Sequence, residues 1–348
     1  MEHDYQRKVI KRLHTMIGEA MQRRRLKAAA LVVPVVAALS LGNTADATSL
    51  AAIPCDVTAL NNAIVAANNN TGPHTIRLAP RCVYNVLTPA STGSLGPNAL
   101  PLITGTVTLL GNRTTIRRDP DATEGFRIAQ IDGPGGRLTV EGVTATGGGY
   151  LDYAGTYLPT DGGTLILKHS TVTNSTANQG GAIFVNQSST LEMYDSVVRD
   201  SAGQRGGAIY NGPGSTTLLQ RTKVVRNQAA ELGGGIFTAG VSMTIKNSRI
   251  EGNRAFQQGG GIYNDRSPLD ISSTTIADNR AGQTGGGITN DGTTTLTNTQ
   301  VRRNIALNGG GVWQGTSAGT ALTLVRSRIF ENTPNNCRPV GAISGCTN

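Results

Sequence analysis

A glycine cluster followed by an aliphatic residue returns six times between Asn178 and Thr333. The copies are GGAIF (Gly180 to Phe184), GGAIY (Gly206 to Tyr210), GGGIF (Gly233 to Phe237), GGGIY (Gly259 to Tyr263), GGGIT (Gly285 to Thr289) and GGGVW (Gly309 to Trp313). Their anchors Ile183, Ile209, Ile236, Ile262, Ile288 and Val312 lie 26, 27, 26, 26 and 24 residues apart. A second series keeps the same beat: Val197, Val224, Ile250, Ile276, Val301 and Ile329, each followed three residues on by Asp200, Asn227, Asn253, Asn279, Asn304 or Asn332. Two marks in phase over six copies define a repeat architecture, in which each unit buries its apolar face against its neighbours.

Composition decides what the unit is made of. The chain has 45 glycines and only 15% charged residues among 348, which fits neither a typical helical protein nor a charge-rich disordered one. The repeats are rich in Thr, Val, Ile, Gly and Asn, a mixture that suits short strands joined by tight turns. A coil of about 26 residues holds three short strands and three turns. If each coil returns to its starting point, every strand pairs in parallel with its copy about 4.8 Å above. The Ile and Val anchors then form inward columns. The glycine clusters suit turns that need positive φ or close backbone contact, and the column from Asp200 to Asn332 reads as an amide ladder. Leu138, Leu165 and Leu191, spaced 27 and 26 residues, show that the period begins before the glycine clusters appear.

The ends differ from the body. Arg23, Arg24, Arg25 and Lys27 precede a 14-residue apolar run, Ala28 to Leu41, and then Ala45-Asp46-Ala47. This is the pattern of a secretory signal cleaved near Ala47. Met21 would begin a signal of ordinary length, so residues 1–20 read as a mis-assigned start, and the export route is left open. Crossing hydrocarbon takes about 20 apolar residues, and Pro34 interrupts this run, so no stable membrane span is expected after cleavage. Without residues 1–47 the chain carries 23 Lys/Arg against 18 Asp/Glu, a net charge of +5. These charges are spread through the repeats with no polybasic run, so nucleic acid is not an expected partner. Cys55, Cys82, Cys337 and Cys346 flank the repeats, and an even count in an exported chain suggests two disulfides. Of the three pairings, Cys55 with Cys82 and Cys337 with Cys346 is preferred, because each ties one terminus. Asp56 to Asn70 has a helical period, with Val57, Leu60, Ile64 and Ala67 on one face and Asp56 as cap. A helix there would cover the open edge of the first coil. The expected organisation is an export segment (1–47), an N-terminal cap with a short helix (48–82), first coils with irregular loops (83–178), regular coils (179–333) and a C-terminal cap (334–348).

The repeated GGAI followed by I/V-x-x-N resembles the repeats of the polymorphic outer membrane proteins. More broadly, residues 53–348, with Cys-Asp-x-x-x-Leu-x-x-Ala-Ile at the start, resemble secreted bacterial proteins of the pectate-lyase-like right-handed parallel β-helix superfamily. That resemblance implies a right-handed, all-β, single-stranded parallel β-helix with a capping helix. It does not carry over outer-membrane anchoring, since no barrel sequence or second hydrophobic tail follows the repeats in this sequence.

Function has to be read from sites, because the fold hosts lyases, hydrolases, adhesins and inert spikes. Glycoside cleavage needs two carboxylates at a defined separation. Asp265 and Asp291 follow the same turn Asn on successive coils, and with Arg266 they form an alternative acidic and basic site. His169 is the one histidine within the coils and reads as a turn residue. The glycine clusters lack the following helix and the Lys-Ser/Thr of a phosphate cradle. Directly after the inward anchors come Phe184, Tyr210, Phe237, Tyr263 and Trp313. Alternation puts these rings outside the coil, as a stacking ladder or as an exposed platform for sugar rings. The expected protein is an exported, monomeric, non-catalytic scaffold that contacts polysaccharide or cell-surface glycan, with no cofactor or metal. A polysaccharide lyase or glycoside hydrolase is the competing class.

Overall fold

The computed structural model describes residues 51–348, so the export segment expected over residues 1–47 lies outside the described residues. The chain winds as a parallel β-solenoid of about nine turns, roughly 26 residues each, with one short helix near its start. An eighteen-stranded and a nine-stranded sheet run along the stack, and a five-stranded sheet joins them between Thr176 and Ala281. One coil shows the pattern. Ile236–Thr238 lies in the nine-stranded sheet, Ser242–Lys246 and Arg249–Glu251 both lie in the eighteen-stranded sheet, and Arg254–Ala255 lies in the five-stranded sheet. The coils from Tyr157 to Ala281 thus carry four strand segments where the sequence suggested three, while the last coils carry three. The additional break is a single left-handed residue, Asn247 with φ 51°, which bends the broad sheet.

That bend recurs as a column. His169, Asp195, Arg221, Asn247, Ser273 and Asn298 all have φ between 47° and 53°. Each precedes a buried hydroxyl residue: Ser170, Ser196, Thr222, Ser248, Thr274 and Thr299. All but Thr222 accept from the backbone N–H one coil below, as in Thr222 N to Ser248 Oγ at 3.0 Å. A buried N–H at a corner therefore finds its partner in the next coil rather than in water.

The aliphatic columns are as the spacing predicts. Ile183, Ile209, Ile236, Ile262, Ile288 and Val312 are fully buried and pair in register. Leu138, Leu165 and Leu191 form another such column. The amide ladder is present with one correction. Asn227, Asn253, Asn279 and Asn304 each donate Nδ2 to the Oδ1 of the next member at 3.0 Å, ending on Asn332. The preceding member is Ser201, not Asp200, because Val198 rather than Val197 pairs with Val224. Asp200 instead takes the left-handed bend and faces solvent. The glycine turns combine both expected reasons. Gly259 has φ 66°, and a Cβ on Gly260 would stand 2.4 Å from the carbonyl oxygen of Gly286 in the next coil.

Both ends are closed. Helix α1 (Val57–Asn68) is capped by Asp56, which accepts from the Ala59 N–H at 2.8 Å, and it buries Leu60, Ile64 and Ala67. Cys55 is bonded to Cys82 and Cys337 to Cys346, the preferred pairing.

Candidate functional site

The aromatic column is a ladder and not an open platform. Ring centroids are 4.9 Å apart from Phe184 to Tyr210, 4.6 Å from Tyr210 to Phe237 and 5.4 Å from Phe237 to Tyr263. Tyr153 extends the stack at 5.1 Å from Phe184. Phe184, Tyr210 and Phe237 are 4%, 8% and 2% exposed, while Tyr263 and Trp313 are half-buried. Alternation does keep these rings out of the coil interior: they form a second apolar cluster, separate from the main core. Leu95, Tyr153 and Leu158 from the first coils and Leu232 from the five-stranded sheet then cover them. Thr289 breaks the stack before Trp313, turning its hydroxyl to the Thr284 carbonyl oxygen. The expectation of an exposed sugar platform is therefore corrected for Phe184, Tyr210 and Phe237, which are covered, while Tyr263 and Trp313 stay half-buried.

The alternative acidic site is likewise drawn into packing. Asp265 and Asp291 occupy the same turn on successive coils, each donating its backbone N–H one coil back, to the Thr238 and Asn264 oxygens. Asp265 pairs with Arg266 at 3.1 Å, while Asp291 accepts the Tyr263 hydroxyl at 2.6 Å. Burial, reinforced by Asp291, pushes the Tyr263 hydroxyl well above its ordinary pKa. Among the described residues no three of His, Cys, Asp and Glu gather as a metal-ligand group.

Several acids elsewhere on the coils are tied to arginines one rung away. Arg221 grips both oxygens of Asp195 at 2.7 and 2.8 Å, Arg226 those of Asp200, and Arg303 those of Asp278. These guanidinium bonds hold the Asp195 and Asp200 carboxyls below the usual carboxylate range; His169 adds a smaller pull on Asp195 and Arg199 one on Asp200. His169 itself borders a depression of about 420 Å³ on the broad sheet, together with Arg137, Lys168, Glu192, Tyr194, Asp195 and Arg221. There the Tyr194 hydroxyl donates to Glu192 at 3.0 Å, and burial together with that carboxylate raises its pKa.

A different surface forms a trough. Arg118, Tyr150 and Leu151, then Thr176, Ala177 and Asn178, then Ala202, Gly203 and Gln204, and finally Ala230 line an open volume of about 870 Å³. These residues come from successive coils, so the trough runs along the stack for about 19 Å at the 4.7–4.9 Å rung spacing. Its floor is the five-stranded sheet, whose small residues leave room above the backbone. Its wall is organised by Arg127, which is fully buried. The Arg127 guanidinium donates to the carbonyl oxygens of Leu95 (2.6 Å), Gly96 (3.3 Å) and Tyr153 (3.3 Å) and to Asn98 Oδ1 (3.2 Å), and lies 4.7 Å from the Tyr150 ring centroid. Burial lowers its pKa to about 10. Two loops from separate coils, one carrying Leu95 to Asn98 and one carrying Tyr150 and Tyr153, converge on this one cation. Sequence reasoning missed Arg127 and the trough; the repeat that exposes columns says nothing of loops that leave it.

The architecture defines a right-handed parallel β-helix protein. The family model for the right-handed beta helix region matches residues 157–336, and the chain belongs to that family. A comparison with curated protein sequences gives no match. Among solved structures, the chain is similar to PfbA, a surface adhesin of Streptococcus pneumoniae, at 11% identity and a TM-score of 0.37, over 78% of this chain and 85% of that one. It is also similar to the A-module of the Azotobacter vinelandii mannuronan C-5 epimerase AlgE6, at 15% identity and a TM-score of 0.38, over 84% and 96% of the two chains. Neither likeness carries a role to this chain.

Proposed function

We propose that this protein is an exported, monomeric, non-catalytic β-helix scaffold that holds a glycan along the trough. The observation that carries the reading is the trough itself: an open channel parallel to the coil stack, with small residues as floor and a Tyr150 wall fixed by a buried cation. A linear polymer fits such a channel by repeating its own contacts from rung to rung. Six of the coil acids support the same reading, since Asp195, Asp200, Glu231, Asp265 and Asp278 are bound to arginines and Asp291 to Tyr263. Two disulfides suit an oxidising compartment, in keeping with export. The finer affinities to pectate-lyase-like proteins and to polymorphic outer membrane repeats belong to this proposal as well.

The competing reading, a polysaccharide lyase or glycoside hydrolase, draws on the depression where Lys168, His169, Tyr194 and Glu192 stand together. A glycan array followed by product analysis separates the two. The scaffold reading expects retained glycan recovered intact, with retention weakened by Tyr150→Ala and Asn178→Ala. New reducing ends or unsaturated sugars that disappear in His169→Ala would overturn it in favour of the enzyme.

A further inference from the structure

Arg221, Arg226 and Arg303 at left-handed bends, and Arg205 on the five-stranded sheet, have acidic partners on the neighbouring rung. Two arginines further along the five-stranded sheet lack such a partner. Arg254 pairs in register with Arg280 on the next coil, one rung or about 4.8 Å away. Both are exposed, and neither makes an ion pair among the described residues. Like charges directly opposite one another disfavour the ladder; Lys223 and Arg249 are stacked in the same way on the broad sheet, and what sets Arg254 and Arg280 apart is the exposed apolar side chains beside them.

Their surroundings point to a ligand. Phe256 is 47% exposed, and the Arg254 guanidinium carbon lies 4.6 Å from its ring centroid. Arg280 bridges in turn to Ile305, which is 43% exposed, and Leu307 beyond it is 70% exposed. Gly282, between the rungs of Phe256 and Leu307, contributes no side chain to the face. Ala229 pairs with Ala255, so Phe256 follows Ala230, the last residue lining the trough, on the next coil. A chain lying in the trough therefore runs directly onto the two arginines and the ring.

We propose that Arg254, Arg280 and Phe256 form a binding site for an acidic glycan, the guanidinium groups taking carboxylate or sulfate substituents and the ring packing on a sugar face. This rests on the glycan-binding reading of the trough and adds to it the charge of the ligand. Arginine matches planar anions with paired N–H donors, and an aromatic ring offers the apolar face of a pyranose a flat partner. A linear polymer is favoured over a membrane surface because the arginines lie in line with a recessed channel.

The test measures binding of a soluble polyuronate, a neutral glucan and anionic phospholipid vesicles to the whole exported chain, across a salt series. The variants are Arg254→Gln/Arg280→Gln, Phe256→Ala, and Arg326→Gln, exposed at a bend of the broad sheet, as a control on another face. All replaced side chains are solvent-exposed, and circular dichroism verifies the fold. The expected result is salt-sensitive polyuronate binding that falls by roughly tenfold or more in the double arginine variant, since charge-assisted contacts are the strong ones. It should fall less in Phe256→Ala and stay unchanged in the control. Undiminished polyuronate binding in the double variant overturns the site, and so does binding of the neutral glucan alone, though that outcome leaves the trough reading standing. Vesicle binding lost in the double variant, without polyuronate binding, reassigns the arginines to a lipid surface. Binding of no glycan at all removes both readings.

Discussion

The regular coils after residue 179 and the first coils before it are held together in opposite ways. In the regular coils the interior contacts are columns: Ile on Ile, Asn on Asn, Thr on Ser, each member supported from above and below. In the first coils the loops carrying Leu95, Gly96, Asn98 and Tyr153 meet at the single buried side chain of Arg127. A column shares its load among equal members, whereas a hub concentrates it. The repeat thus supplies stability, and the irregular part supplies a wall of specific shape.

The sharpest way to break this comparison is to put a charge into a column. Ile262→Asp would bury an unpaired carboxylate between Ile236 and Ile288 and is expected to cost about 4 kcal/mol or more, with hydrogen exchange rising in both neighbouring coils. An unchanged melting temperature would contradict the inward register. Next comes the hub. Arg127→Met leaves several carbonyl oxygens without their donor, at about 1–3 kcal/mol for each buried acceptor so orphaned. Faster exchange should be confined to residues 91–98 and 150–157, and trough binding should fall while the regular coils keep their protection; loosening throughout the stack would mean that Arg127 is not a local clasp.

How far these features could be read beforehand depended on whether they repeat. Ile262 and its column were legible because spacing and burial agree in every copy. The ladder was misplaced by one residue in a single coil, where Val197 and Val198 are both apolar and the pattern alone does not choose between them. The rings of Phe184, Tyr210 and Phe237 were correctly put outside the coil. Their burial was not legible, because the covering Leu95 and Tyr153 come from loops that obey no period. Arg127 left no trace for the same reason, its acceptors being carbonyl oxygens 26 to 32 residues away. Arg254 and Arg280 were legible in principle: each directly follows a ladder asparagine, so aligning the column shows them stacked.

A gentler perturbation sharpens the contrast within the regular coils. Asn253→Ala removes one rung of the ladder, orphaning the Asn227 backbone N–H and the Val224 carbonyl oxygen, and should cost about 1–3 kcal/mol. Because the break falls mid-column, thermal unfolding should lose cooperativity at that rung, visible as exchange protection that differs on its two sides. The smallest effect concerns the outer pairs. Arginine holds the Asp195 and Asp200 carboxyls below their ordinary pKa, so their contribution is present at neutral pH and is lost as pH falls through their lowered values. An Asp195→Asn/Asp200→Asn variant should show a slightly shallower acid decline in melting temperature than the parent, and little difference at pH 7.

The self-matching columns have a consequence for how such a chain can change over generations. Each unit presents the same interior to the unit above and below, so duplicating or excising a whole one, such as Ile236 to Gly261, sets Ile262 on Ile209 and rejoins every ladder. Length is thereby free to drift, bounded only by the disulfide-tied ends. What each unit displays outward is inherited separately, so a lengthened descendant could alter its exterior one unit at a time while the inside stays as it was.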